Sequence, residues 1–89
     1  MAKSIKVTII DPVGLHARPA SIVVQAANEF DSNITIKNPS GQEGNLKSIM
    51  NVMALQIVEG TTVEIIASGK DEEKAIKKLE DVMKSNKLI

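Results

Sequence analysis

Ile5, Val7 and Ile9 alternate with Lys6 and Thr8, the two-residue period of a strand with one buried face. Asp11-Pro12-Val13-Gly14 is turn material. From Ala17 to about Asn28 the period lengthens, and Ala20, Val23, Val24 and Ala27 fall on one helical face with Phe30 just beyond. Pro19 lacks the N–H that an interior helical residue donates, so it belongs in a first turn. That places the helix start at or just after His16. Ile34-Thr35-Ile36-Lys37 predicts a second strand, Asn38-Pro39-Ser40-Gly41 a turn, and Gln42 to Leu46 a short third strand. Ser48 predicts the N-cap of a short helix running to about Met53. Thr61 to Ala67 predicts a fourth strand with Val63, Ile65 and Ala67 on one face, ended by Gly69. Asp71-Glu72-Glu73 opens a last helix whose Ala75, Ile76, Leu79, Val82 and Met83 face inward. Its acidic first turn and its late Lys84 and Lys87 complement the helix macrodipole.

The order β-α-β-β-α-β-α predicts an α+β fold in a single domain over residues 1–89. An antiparallel sheet with the helices on one face buries every apolar stripe. Lys6, Thr8, Thr35, Lys37, Thr62 and Glu64 then occupy the solvated face. The pattern alone leaves the strand order open.

Composition removes several classes of function. A chain of 89 residues buries somewhat more than ~60% of its unfolded surface, enough for one modest core. With no cysteine and one histidine, neither a disulfide framework nor a protein-only zinc site can form, and no metal or other cofactor is expected. No apolar run approaches the roughly 20 residues of a membrane span. Met1-Ala2-Lys3-Ser4-Ile5 lacks a signal-peptide core, so a cytoplasmic protein without membrane insertion is expected. The formal net charge is zero and Phe30 is the only aromatic residue, a combination unsuited to nucleic acid.

The candidate chemistry is concentrated in Gly14-Leu15-His16-Ala17-Arg18-Pro19-Ala20. The chain uses lysine for every cation but one, and that one, Arg18, lies two residues from the only histidine. Imidazole is a nucleophile near neutral pH, and guanidinium is a planar fork for phosphate or carboxylate. A helix start adds unpaired N–H groups and a partial positive charge, both of which favour an anion. The backbone N–H groups of Ala17 and Arg18 are therefore candidate phosphate donors. Gly14 allows a sharp turn before the site, and Pro19 stiffens the first helical turn. The plain alternative is a surface histidine beside a solvated arginine. The residues by themselves reach as far as an anion site with a possible nucleophile.

Gly14 to Ala20 resembles the active-site signature of the HPr family, the histidine-containing phosphocarriers of the phosphoenolpyruvate-dependent sugar phosphotransferase system. Leu46-Lys47-Ser48-Ile49-Met50-Asn51-Val52-Met53-Ala54-Leu55 resembles the family's regulatory-serine segment. Length, element order and the Ala67-Ser68-Gly69 strand end agree as well. The resemblance implies an open-faced β-sandwich with a four-stranded antiparallel sheet in the order 1-4-2-3. It implies a carrier rather than an enzyme. His16 would take a phosphoryl group on Nδ1 from enzyme I and pass it to a sugar-specific enzyme IIA, with Arg18 stabilising the group in transit. It implies that Ser48, besides capping its helix, is phosphorylated by HPr kinase/phosphorylase.

On this reading Ile49, Met50 and Met53 form an adaptable contact patch, while Val52 and Leu55 join the core. Ala17, Ala20, Ser21 and Val24 supply a small flat flank on the first helix, with Gln25 at its edge. A monomer is expected, since transient partners account for the apolar patch. Three features depart from the family pattern. Asn51 replaces a common glycine, Ala54-Leu55-Gln56 replaces a more usual Ser-Leu-Gly, and the turn Asn38-Pro39-Ser40-Gly41-Gln42 is about one residue longer. The rival readings are an HPr-like regulator without histidine relay and a generic anion-binding interaction module.

Overall fold

In the computed structural model, which describes residues 2–89, the alternating segments become β1 (Ala2–Thr8), β2 (Asn33–Lys37), β3 (Glu43–Asn45) and β4 (Thr62–Ser68). The helical segments become α1 (Arg18–Ala27), α2 (Ile49–Ala54) and α3 (Glu72–Ser85). The strands form one antiparallel sheet in the order β1-β4-β2-β3. Ile65 of β4 stands opposite Ile5 of β1 and Ile36 of β2, Val63 opposite Val7, and Ala67 opposite Ile34. Because side chains alternate along a strand, this register sends the apolar set to one face, and a slip of one residue would turn it into solvent. Ile36, Ile65 and Ala67 are fully buried beneath α1 and α3, which contribute Ala20, Val23, Ala27, Ala75, Leu79 and Met83 to the same core.

The opposite sheet face is mostly polar, with half-buried Ile66 an exception. Lys6, Thr8 and Thr62 are exposed, and Thr35, Lys37 and Glu64 are half-buried. Lys6 is paired in register with Glu64, and the hydroxyls of Thr8 and Thr62 lie 2.8 Å apart across β1 and β4. No helix among the described residues is long and apolar enough to cross a membrane.

Several boundaries differ from the sequence pattern by a residue or two, with visible causes. Ile9 falls just past β1 but continues its pairing, donating to the Thr61 carbonyl at 2.9 Å and accepting from Gly60 N–H at 2.7 Å. Leu46 likewise extends the β3 pairing by donating to the Ile34 carbonyl at 2.9 Å. The long hairpin turn is closed by Asn38 and Gln42. Asn38 N–H donates to the Gln42 carbonyl, and Gln42 N–H donates to Asn38 Oδ1, each at 2.9 Å. Lys87 lies beyond α3 with φ 59°, where glycine is the usual residue. Its N–H donates to the Lys84 carbonyl at 3.0 Å, and Leu88 N–H donates to the Met83 carbonyl at 2.8 Å, which turns Leu88 into the core.

Asp71 stands at the opening of α3, as the sequence pattern predicts. It occupies the N-cap position, but its side chain makes no capping bond to the helix. Its carboxylate instead accepts from Asp31 N–H at 2.9 Å, from Ser32 N–H at 3.0 Å and from the Ser32 hydroxyl. Glu72 Oε1 takes over the neighbouring donor, Gly69 N–H, at 3.0 Å. Asp71 thus ties the start of α3 to the loop entering β2. The Ser32 hydroxyl, followed by the Asp31 N–H, holds the Asp71 carboxyl below its ordinary range.

A carboxyl whose pKa falls on folding stabilises the native state fully above its unfolded value, and the contribution disappears as pH falls through the folded value. The stability difference between wild type and Asp71→Asn should therefore be constant near neutrality and shrink as acid is added below the usual aspartate range. Urea unfolding at a series of pH values measures it. A difference that stays flat into strong acid would contradict this assignment.

Candidate functional site

The segment joining β1 to α1 is fixed from below. Asp11 builds the turn, accepting Val13 N–H on Oδ1 at 2.8 Å and Gly14 N–H on its carbonyl at 2.9 Å. Leu15 is buried, and its N–H donates to the Ile57 carbonyl at 3.0 Å. Gly14 has φ +75° and passes so close to the 57–58 backbone that a Cβ would overlap Ile57 O and lie 2.8 Å from Val58 Cα. The next fixed points are Pro19 and Ala20, both buried. His16, Ala17 and Arg18 form the exposed arch between these anchors.

Ala17 sits at the N-cap of α1 with φ 50° and ψ −115°, and has no side chain with which to cap the helix. For a residue with a Cβ this is a sparsely populated conformation. The first helical bond runs from Ser21 N–H to the Ala17 carbonyl at 3.0 Å. The N–H groups ahead of it, those of Arg18 and Ala20, have no intrahelical acceptor. Arg18 is exposed, and the ion pairs among the described residues, Lys3–Glu73, Lys77–Asp81 and Lys84–Glu80, leave it out. The guanidinium is thus available to an external anion. His16 borders a shallow depression with Leu15, Met53 and Gln56, and Arg18 borders a neighbouring one with Asp11, Ile22 and Asn86. The two side chains share the helix start but not a pocket.

Ser48 lies apart, at the start of α2, and forms the cap expected of it. Its Oγ accepts from Asn51 N–H at 3.2 Å. Val52 is fully buried and Leu55 packs against the core from a half-buried position. Gln56, where the family pattern has glycine, adopts φ 51°, so this chain carries a side chain at a left-handed helix end.

The proposed contact surface requires correction on α1. Ala20 is 0% exposed and Val24 6%, so both belong to the core and present nothing to a partner. Helical spacing alone does not separate the centre of a buried stripe from its border. Ala17 and Gln25 are exposed and Ser21 is half-buried. On α2 Ile49 and Met50 are exposed, Met50 at 82%, and Met53 is half-buried. The sequence pattern missed Ile10, Val13 and Val58, which are exposed apolar residues in the loops flanking His16. The available signal was that each is apolar yet belongs to no helical or strand stripe.

The site is one exposed histidine beside one exposed arginine at a helix start on an open-faced α+β sandwich. The family model described as the PTS HPr component phosphorylation site matches residues 3–85. Phosphocarrier protein HPr of Mycoplasma pneumoniae is 46% identical over 87 residues, covering 98% of this chain and 99% of that protein. The solved mycoplasma histidine-containing phosphocarrier protein superposes with a TM-score of 0.94 at 47% identity, covering 98% of each chain. HPr of Thermoanaerobacter tengcongensis does so with a TM-score of 0.88 at 42% identity, covering 93% of this chain and 92% of that one. The chain belongs to the HPr family, the phosphocarriers of the phosphotransferase system. Dimers occur among its solved relatives: a Thermoanaerobacter tengcongensis HPr and the domain-swapped Crh of Bacillus subtilis.

Residues 14 and 17 should respond oppositely to a change at Cβ. Gly14→Ala adds a methyl where backbone already stands and should cost about 3 kcal/mol. Ala17→Gly relieves an unfavourable φ/ψ at some cost in unfolded-chain entropy, and should gain about 1 kcal/mol. Denaturant midpoints at constant m-value measure both. Equal signs for the two variants would refute this account of the arch.

Proposed function

We propose that His16 is the phosphoryl acceptor and donor of this carrier. The observation that carries the proposal is the exposure of His16 at the uncapped start of α1, within a chain matched over residues 3–85 by a phosphorylation-site model. The imidazole Nδ1 lone pair attacks the phosphorus of a phosphohistidine on enzyme I. A new N–P bond forms as the donor's N–P bond breaks, and its electron pair returns to the departing imidazole. The same exchange then runs onto a histidine of a sugar-specific enzyme IIA. A loose phosphoryl transition state requires alignment and charge stabilisation more than acid–base chemistry. The N–H groups of Ala17 and Arg18 and the Arg18 guanidinium supply the charge stabilisation. Ala17, Ser21, Ile49, Met50 and Met53 supply the contact surface.

The carrier works in the cytoplasm as a monomer, and its apolar loops and α2 serve partners that must leave quickly. Ser48 is a second, regulatory phosphorylation site for HPr kinase/phosphorylase. A dianion there discourages burial of the adjoining Ile49 and Met50 against enzyme I.

Incubation with phosphoenolpyruvate and catalytic enzyme I should add one acid-labile phosphoryl group, seen by intact mass. His16→Ala should acquire none. Arg18→Lys should be phosphorylated about tenfold more slowly, because an ammonium replaces a bidentate fork. No adduct from an enzyme I proven on another HPr would overturn the relay and leave the anion-binding module.

A further inference from the structure

The family's common glycine is replaced here by Asn51, whose side chain has a defined set of partners. Asn51 Nδ2 donates to Ser48 Oγ at 3.1 Å, and Asn51 N–H donates to the same oxygen at 3.2 Å. Asn51 Oδ1 accepts from Asn45 N–H at 3.1 Å, fixing the amide against β3. The approach is close: a Cβ at Gly44 would lie 3.3 Å from Asn51 Cβ and 3.2 Å from its carbonyl oxygen. A serine hydroxyl oxygen has two lone pairs and one hydrogen. Both lone pairs of Ser48 Oγ are therefore engaged by one residue, and only one of the two bonds is a normal helix cap.

We propose that Asn51 is a positioning residue that latches Ser48 Oγ through its side-chain amide and so restrains phosphorylation of Ser48. The inference rests on the reading of Ser48 as a regulatory phosphorylation site. In that reaction Ser48 Oγ uses a lone pair to bond the γ-phosphorus of a nucleoside triphosphate. The bridging P–O bond breaks, the nucleoside diphosphate leaves, and the hydroxyl proton passes to a base of the kinase. The attacking lone pair must first be freed. The backbone bond from residue 51 survives any substitution except proline, so the releasable restraint is the Nδ2 donor. Turning that amide away from Ser48 also disturbs the bond from Asn45 N–H, which couples the reactivity of Ser48 to the α2–β3 contact.

The test is the initial rate of phosphoserine formation with HPr kinase/phosphorylase and ATP on wild type, Asn51→Ala and Asn51→Gly, with Ser48→Ala as the blank. Alanine strengthens a helix and glycine weakens it, yet both remove the amide. A released latch should speed both variants by about fivefold, the factor that one net hydrogen bond is worth. Faster reaction in Asn51→Gly alone would assign the effect to a loosened helix and overturn the proposal. Equal or slower rates in both would overturn it while leaving the Ser48 reading intact. If no protein is phosphorylated by a kinase active on another HPr, the Ser48 reading itself fails and takes the regulatory inference with it. The latch has its own readout: the Asn51 side-chain amide resonances should shift in Ser48→Ala, and unchanged resonances would overturn it.

Discussion

Between β1 and α1 the backbone passes so near the Ile57–Val58 segment that residue 14 has no room for a side chain. Everything about the histidine arch depends on that approach. It allows Leu15 N–H to reach the Ile57 carbonyl and Leu15 itself to enter the core. With Leu15 held on one side and buried Pro19 on the other, few conformations can span the gap, and Ala17 takes an unfavourable one. The strain is local, and the core on both sides over-determines it. The exposed His16 thereby sits on a backbone segment anchored at both ends.

The same segment is braced from the other side by the end of the chain. The turn after α3 brings Leu88 into the core, and its carbonyl accepts Ile10 N–H at 2.8 Å. The approach to His16 is thus gripped by the loop before β4 and by the C-terminal turn. Asp71 performs a comparable task at the far end of α3, joining it to the entry of β2. α3 is thus tied at its start to the loop entering β2 and, through the turn that follows it, to the segment leaving β1.

α2 runs between the two proposed phosphorylation sites. Ser48 caps its first turn, while Met53 near its end borders the depression beside His16. A helix of six residues is about 9 Å long, close to the screening length of physiological salt. A charge placed at Ser48 would therefore be largely screened at the far end of α2, and would act mainly through the exposed Ile49 and Met50 beside it, which a partner would have to bury.

Hydrophobic period, turn residues, proline placement and the N-cap preference of serine together determined the seven elements, the inward faces of the strands, the helix start near His16 and the capping serine at residue 48. These are short-range effects: side-chain alternation, a missing N–H, and a hydroxyl three residues from a free donor. The family signature added the strand order, which periodicity cannot carry because pairing joins residues far apart in the chain. Only the tertiary structure decided that Ala20 and Val24 are core, since burial depends on what covers a helical stripe. It alone turned the Asp71 carboxylate away from its own helix toward Ser32. It alone gave Lys87 and Gln56 left-handed backbones that their side chains do not favour. Asn51 was visible in the sequence only as a departure from a glycine. Its two-way grip on Ser48 and β3 arises because folding brings Gly44 and Asn45 against α2, and no local rule of sequence specifies that contact.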